Sequence, residues 1–290
     1  WPAHLAGGSY TPEELAEADR ALPAGVTVHR IEVVEKRSAG TWRRILSQVS
    51  FSFRAAVWAT RLAFRHDLVM AYTPPPFTGV AAWAAAKASG RPLVLEVQDL
   101  YPAQALALGV VRPGLVTTVA ARVERLLYRG AARLVVVNEG YREHAVAAGA
   151  DPDRIRVIPN SCDLQAFRPD VEPLPASWER APFTALFAGT MGRAQGAEGI
   201  LDAAEALRDR PDVGFEVWGG GARYAELQRA AAGRGLSNLR FGPPVAHRDM
   251  PRVLARGDAL LLTLHPHEIF GLVVPSKLSE YLAMGRPVAA

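Results

Sequence analysis

The stretch Thr184-Ala185-Leu186-Phe187-Ala188-Gly189-Thr190-Met191-Gly192-Arg193-Ala194-Gln195-Gly196 decides how the second half of the chain folds. Thr184 to Phe187 is a short apolar run of the kind that forms a strand buried on both faces. Gly189 to Gly196 then breaks the run, and Ala197 to Leu207 continues at helical spacing. Strand, glycine-bearing loop and helix together make the repeating unit of parallel-sheet α/β domains, which bind ligands beyond the carboxyl ends of their strands. Glycines let backbone N–H groups approach a phosphate, and a helix N-terminus adds favourable potential. The spacing matches neither G-x-G-x-x-G nor G-x-x-x-x-G-K-[ST], so the dinucleotide and Walker readings fail.

The same rhythm extends in both directions. Towards the C-terminus, Phe215 to Trp218 is a strand ending at Gly219-Gly220-Gly221, with a helix after it to about Ala232. Asn238 to Phe241 and Ala259 to Leu264 are strands. Ser276 to Met284 is a helix stopped by Gly285 and Pro287. Pro287 to Ala290 opens a strand without a sequel, which is expected of a chain cut at that end. Towards the N-terminus, Val26 to Val34 reads as a strand and Leu46 to Phe64 as a helix. Leu68 to Tyr72 is a strand that meets the breaker Thr73-Pro74-Pro75-Pro76, and an alanine-rich helix follows. Leu93 to Val97 is a buried strand, Leu115 to Tyr128 a helix, Arg133 to Val137 a strand, Glu139 to Ala148 a helix and Ile155 to Ile158 a strand. The proline-rich, aperiodic Phe167 to Arg180 is the expected linker. It separates a domain over 1–166 from one over 181–290, in keeping with 290 residues exceeding a single core.

Composition excludes more than it assigns. Hydrophobic residues make up 49% and charged residues 21%, as in an ordinary globular protein. The formal charge of +4 is too mild to imply nucleic-acid binding. One cysteine, Cys162, rules out an internal disulfide framework and a cysteine zinc cluster. No apolar run is long enough to span a bilayer. The chain opens on Trp1 rather than Met, so a start lying upstream is expected. Thr41 to Arg65 holds Arg43, Arg44, Arg54, Arg61 and Arg65 and no acid, interleaved with Trp and Phe. Such a stretch suits either a core helix with a basic outer face or an interfacial helix on anionic lipid.

Two further places could carry chemistry. In Pro275-Ser276-Lys277-Leu278-Ser279-Glu280 the proline fixes a helix start. The N–H groups of Ser276 and Lys277 would face an anion, Lys277 adds a full charge, and Glu280 lies one turn on. Asp99 closes the buried Leu93 strand and is either functional or a turn cap. Asp151-Pro152-Asp153 resembles a metal-holding D-x-D but reads better as a turn. His265-Pro266-His267-Glu268 lacks a further ligand and reads as a polar loop.

Taken together, these segments resemble the family-4 retaining glycosyltransferases. The resemblance is carried by Phe187 to Gly196, the Gly219 turn, Met250-Pro251 with Asp258, and Pro275 to Val288. In the first half it is carried by Glu96 to Pro102, Val137 to Tyr141 and Ile158 to Asp163. The branch that adds amino-deoxysugars (fucosamine-type) in O-antigen, capsule and exopolysaccharide assembly is the most similar. The resemblance implies a GT-B fold, two Rossmann-like α/β domains facing across a cleft, with acceptor on the first and nucleotide sugar on the second. It implies transfer with retention and without a metal or other cofactor. The leaving diphosphate is then stabilised by N–H groups and cations.

On this resemblance the catalytic groups are Asp99, Glu268 and Lys277. The donor is bound by Gly189, Thr190, Gly192, Arg193, Gln195, Gly219, Val245, Ser276, Lys277, Leu278 and Glu280, with Glu280 at the ribose and Pro244-Val245 at the base. The sequence departs from the family in four places. Leu272 stands where the usual E-x7-E has an acid, Thr190 and Gln195 replace the phosphate loop's Arg and Lys, and Gln98 replaces a histidine. The partners implied are a UDP- or GDP-type sugar and a lipid-linked saccharide acceptor, at the cytoplasmic face of an anionic membrane, without nucleic acid. Arg43, Arg44 and Arg54 are the candidates for anionic lipid or acceptor phosphates. Two rivals remain: a GT-B protein that holds nucleotide sugar without transferring it, supported by Leu272, and a non-hydrolysing UDP-sugar epimerase.

Overall fold

The computed structural model describes residues 15–16, 19–20, 22–31, 41–74 and 76–290, with 41–49 as backbone only. The chain divides into two compact units, one drawn from Ala18–Pro159 with Gly271–Val274 and the other from Asn160–Phe270 with Pro275–Ala290.

The first unit holds helix α1 (Thr41–Ala63), strand β1 (Val69–Thr73), α2 (Pro76–Ser89), β2 (Leu93–Val97), α3 (Ala103–Ala107), α4 (Leu115–Gly130), β3 (Arg133–Val136), α5 (Glu139–Ala147) and β4 (Ile155–Val157). Its strands form a parallel sheet in the order β1-β2-β3-β4. Val97 pairs with Thr73 and Val136, so all three strands end together and Asp99 lies just past that edge. α2, with its run of buried alanines, packs on β1 and β2, and it also packs on both α1 and α4. The strand expected over Val26 to Val34 is absent among the described residues. Residues 26–31 are irregular and Val26 and Val28 are exposed, while 32–34 lie outside the described residues. Val26 and Val28 pair with no strand among the described residues, so no ladder holds them extended.

The second unit holds β5 (Phe183–Thr190), α6 (Glu198–Ala206), β6 (Val213–Gly220), α7 (Tyr224–Gly233), β7 (Leu239–Gly242), α8 (Met250–Leu254), β8 (Ala259–Leu261), α9 (Lys277–Ala283) and β9 (Val288–Ala289). The sheet is parallel with order β7-β6-β5-β8-β9. Strand order therefore reverses between β5 and β8, the switch point at which such sheets open a crevice beyond their carboxyl ends. Along β5 the side chains alternate between two cores. Ala185 and Phe187 join Ile200, Leu201 and Leu227 of the α6–α7 face. Leu186 and Ala188 join Leu254, Tyr281 and Met284 of the α8–α9 face.

Phe167 to Arg180 has almost no regular structure, and it is packed rather than loose. Phe167 is buried in the α8–α9 core, and Val171, Leu174 and Trp178 lie against it. A knot of charge anchors this arm. Glu216, buried in the middle of β6, accepts hydrogen bonds from Trp178 Nε1 (2.9 Å), Trp218 Nε1 (2.7 Å) and Arg256 Nε and Nη2 (2.7 and 2.5 Å). Arg256 also donates to the Leu174 carbonyl at 2.8 Å. Burial pushes the Glu216 carboxyl up, but these donors outweigh it and hold the carboxyl below its ordinary range.

Candidate functional site

The carboxyl ends of β5 and β6 meet through glycines. Gly189 pairs with Gly219 and Thr190 with Gly220. Gly219 has φ +134, and a Cβ there would stand 2.1 Å from the Gly189 carbonyl oxygen. No side chain fits at this point, so the two strand ends close on each other backbone to backbone. The Met191 N–H donates to the Gly220 carbonyl at 2.7 Å, which continues the pairing past the strands.

Helix α9 is set against this edge by Tyr281. Strand β8 reaches only Ala185 and Leu186 of β5, which leaves Ala188 without a strand partner on that side. The buried Tyr281 hydroxyl takes both groups, accepting from the Ala188 N–H and donating to its carbonyl, each at 3.1 Å. One turn earlier on the helix stands Lys277. Its Nζ lies 4.1 Å from the Phe187 ring centroid. A Cβ on Gly189 would come within 2.9 Å of that Nζ, so the ammonium sits directly on the strand-end backbone.

Lys277 is half-buried and forms no ion pair among the described residues. Burial pulls its pKa down from the ordinary lysine value to about 8, and Glu280 opposes that only in part. Glu280 is half-buried too. Burial pushes its carboxyl up, against the positive fields of His247 and Lys277. The Leu278 N–H is taken by the Pro275 carbonyl and the Ser279 N–H by that of Ser276, while Ser279 Oγ donates to the Asn160 carbonyl at 2.9 Å. The result is a cation without a counter-ion, held at the switch point beside a glycine backbone and a half-buried carboxylate. Such an arrangement receives an anion and, one turn away, hydroxyl groups.

The remaining donor residues fall around this centre in different ways. Thr190 and Arg193 are exposed, and Gly219 is buried in the glycine contact. Gln195 turns back on its own loop, where its Oε1 accepts from the Gly192 N–H at 2.9 Å, so these two groups occupy each other. The half-buried Leu278 and Val245 side chains pack against the α8–α9 core. Ser276 is exposed and makes no side-chain cap. Glu268 is exposed at the start of the 3-10 turn Glu268–Leu272.

Asp99 belongs to the first unit. It is exposed past β2, yet desolvation by its surroundings pushes its carboxyl up. Leu272, where the family pattern has an acid, packs on Gly140 and its carbonyl accepts from Asn138 Nδ2 at 2.9 Å. Asn138 also caps α5 through the Tyr141 N–H.

Asp151 caps the turn Pro152–Arg154 by accepting from the Asp153 N–H at 3.0 Å. Among the described residues no group of three or more His, Cys, Asp or Glu could hold a metal ion, and no helix is long and apolar enough to cross a membrane. The side chains of Arg43 and Arg44 lie outside the described residues. Sequence reasoning did not single out Tyr281 as the seat of α9, Phe187 beneath the lysine, or His247 facing Glu280. Each acts across a long sequence separation and leaves no local spacing to find.

Residues 5–161 match the family described as the Glycosyl transferase 4-like domain, and residues 182–290 match Glycosyl transferases group 1. The chain is 27% identical over 270 residues to WcaI of Escherichia coli (strain K12), which is assigned to colanic acid biosynthesis as a glycosyl transferase. It is 30% identical over 261 residues to WbjE of Pseudomonas aeruginosa, a protein assigned as a glycosyltransferase. The alignments take in 89% and 85% of this chain but 66% and 62% of those relatives, so the chain spans about two thirds of their length. Among solved structures, Anabaena Alr3699/HepE in complex with UDP superimposes with TM-score 0.62 at 18% identity, over 80% of this chain and 62% of that one. The two parallel α/β sheets and this likeness together show the GT-B fold.

Proposed function

The chain belongs to the glycosyltransferases built from a 4-like domain and a group 1 domain, and from that premise we propose that it transfers a sugar from a nucleoside-diphosphate donor. The donor is of UDP or GDP type and binds the second unit. The acceptor is a lipid-linked saccharide of cell-surface polysaccharide synthesis, met at the cytoplasmic membrane face and bound by the first unit. Transfer proceeds with retention and without a metal.

One observation carries this reading: the Lys277 ammonium, without an ion pair among the described residues, over Phe187 and against the Gly189 backbone, at the switch point of the second sheet. A half-buried ammonium with no ion pair among the described residues has lost solvation free energy. A diphosphate arriving there restores the lost solvation. As the glycosidic bond to the donor breaks, negative charge grows on the leaving phosphate, where Lys277 and the N–H groups of Ser276 and Lys277 stabilise it. Glu280 accepts from the ribose hydroxyls, and Gly192 becomes a donor once Gln195 swings off it. Glu268 and the exposed Arg193 complete the proposed set on the second unit, and Asp99 is the catalytic group proposed on the first. UDP accompanies HepE in its solved complex, and that supports a uridine donor here as the first to test.

The test is a transfer assay with UDP- and GDP-sugars and lipid-linked saccharide acceptors, reading released nucleoside diphosphate and the anomeric configuration of the product. Release with a retained anomer supports the proposal. Donor binding without release would favour the non-transferring GT-B reading that Leu272 suggests. Free nucleoside diphosphate with an epimerised sugar would favour an epimerase.

A further inference from the structure

We propose that the outer face of α4 docks on an anionic lipid surface. The helix runs sixteen residues, Leu115–Gly130, about 24 Å. Leu115, Val119, Arg122, Leu126 and Arg129 recur at steps of four and three, which places them on one stripe, with Val116 and Arg125 along its borders. Leu115 and Val116 are 78% and 72% exposed, and Val119 and Leu126 are each 46% exposed. Arg122, Arg125 and Arg129 are exposed beside them, and Arg112 and Val110 just ahead of the helix are exposed as well. The one acid in the helix, Glu124, is turned inward. It accepts from the Tyr128 hydroxyl at 3.0 Å and lies 3.2 Å from His144 Nε2. The outward face is thus apolar and cationic with no carboxylate, and among the described residues none of these arginines has an acidic partner.

Apolar side chains scattered singly on a surface are ordinary, but a contiguous stripe bordered by like charges marks a contact surface. The choice of occupant follows from charge. A second copy meeting this face across a two-fold axis would bring its own Arg122, Arg125 and Arg129 against these, with no acid to separate them. A free phosphate would pair with the arginines but leave Leu115 and Val116 in water. An anionic bilayer satisfies both, since its phosphates take the guanidinium groups while the apolar residues enter the acyl boundary. Docking through α4 does not depend on transfer taking place, and it uses a surface other than α1.

The experiment is flotation of the full chain with phosphatidylcholine vesicles carrying about one third phosphatidylglycerol, against phosphatidylcholine alone. The chain is expected to float with the anionic vesicles only, and less as salt rises. Arg122→Glu with Arg125→Glu is expected to weaken binding about tenfold or more. Leu115→Ser with Val116→Ser should weaken it about tenfold, with unfolding temperature unchanged because these side chains are exposed. Anionic-vesicle binding that survives both pairs of changes would overturn the proposal, as would binding lost only with Phe53→Ser on α1. A dimer in sedimentation velocity that Leu115→Ser with Val116→Ser dissolves, with no vesicle binding by the parent, would overturn it in favour of a second copy.

Discussion

Arg256 and Lys277 are both cations packed into the second unit, and they are treated in opposite ways. Arg256, 5% exposed, is bonded on three sides: bidentate to Glu216, to the Leu174 carbonyl, and lying about equally over the Trp178 and Trp218 rings at 5.7 and 5.6 Å. Lys277 has one aromatic ring beneath it and a glycine backbone beside it. A cation whose bonding capacity is used up within the fold holds the fold together. One left with capacity to spare at a sheet's switch point is available to a ligand. The surrounding chain agrees, since the Arg256 knot ties down the 167–180 arm while Lys277 opens on the crevice side of β5.

That contrast fails if both residues turn out to matter for the same thing. The largest expected effect is on Arg256→Met. It leaves Glu216 buried with only the two indole donors, and unfolding free energy should fall by about 3 kcal/mol in denaturant titration. Arg256→Met with Glu216→Leu should recover a large part of that loss, because the stranded charge is removed. A negligible effect of the single change would mean that the knot is decorative.

Lys277→Met should move stability the other way. Its pKa is depressed in the folded state, so below about 8 the folded protein holds a charge that the unfolded chain hydrates more favourably. Removing that charge at neutral pH should therefore raise unfolding free energy, on the order of 1 kcal/mol. The gain should vanish at a pH above the ordinary lysine value, where neither state is charged. A clear loss of stability at neutral pH would place Lys277 with Arg256 as a structural cation.

The same titration sets a pH dependence for the ligand. The ammonium form attracts a diphosphate, so UDP affinity should fall as pH rises through and beyond about 8. The fall should be no steeper than about tenfold per pH unit. Lys277→Arg, which keeps its charge, should flatten the profile. A profile unchanged by that substitution would detach the pH effect from Lys277. The smallest effect expected is on Gln195→Ala, which frees the Gly192 N–H and should tighten UDP by about threefold or less in calorimetry. Weakening instead would show that Gln195 itself contacts the ligand.

Much of the architecture was legible because it is local. Leu93 to Val97 forms β2 with the bounds its apolar run predicts, and the helix expected over Ser276 to Met284 is α9 with an end residue trimmed on each side. The boundaries that moved did so through pairing. β5 runs on to Thr190 rather than stopping at Phe187 because Gly189 and Thr190 find Gly219 and Gly220 alongside. β8 spans Ala259–Leu261, where it pairs with β5 and with β9, rather than running on to Leu264. α1 begins at Thr41 rather than Leu46, so the helix takes in Trp42-Arg43-Arg44-Ile45 as well.

The site was legible in its residue types and illegible in its couplings. Lys277, Glu280 and the glycines stood out by spacing, whereas the Tyr281 hydroxyl on Ala188, the Gln195 clasp on Gly192 and the Glu216–Arg256 pair bridge residues whose relation only the folded sheet creates.

The most direct test of the central claim is a calorimetric comparison of UDP with uridine on the parent chain and on Lys277→Met. UDP should bind the parent well above uridine, and Lys277→Met should remove about 10- to 100-fold of that preference while uridine binding stays the same. An undiminished preference for UDP in Lys277→Met, or an equal loss for both ligands, would contradict it.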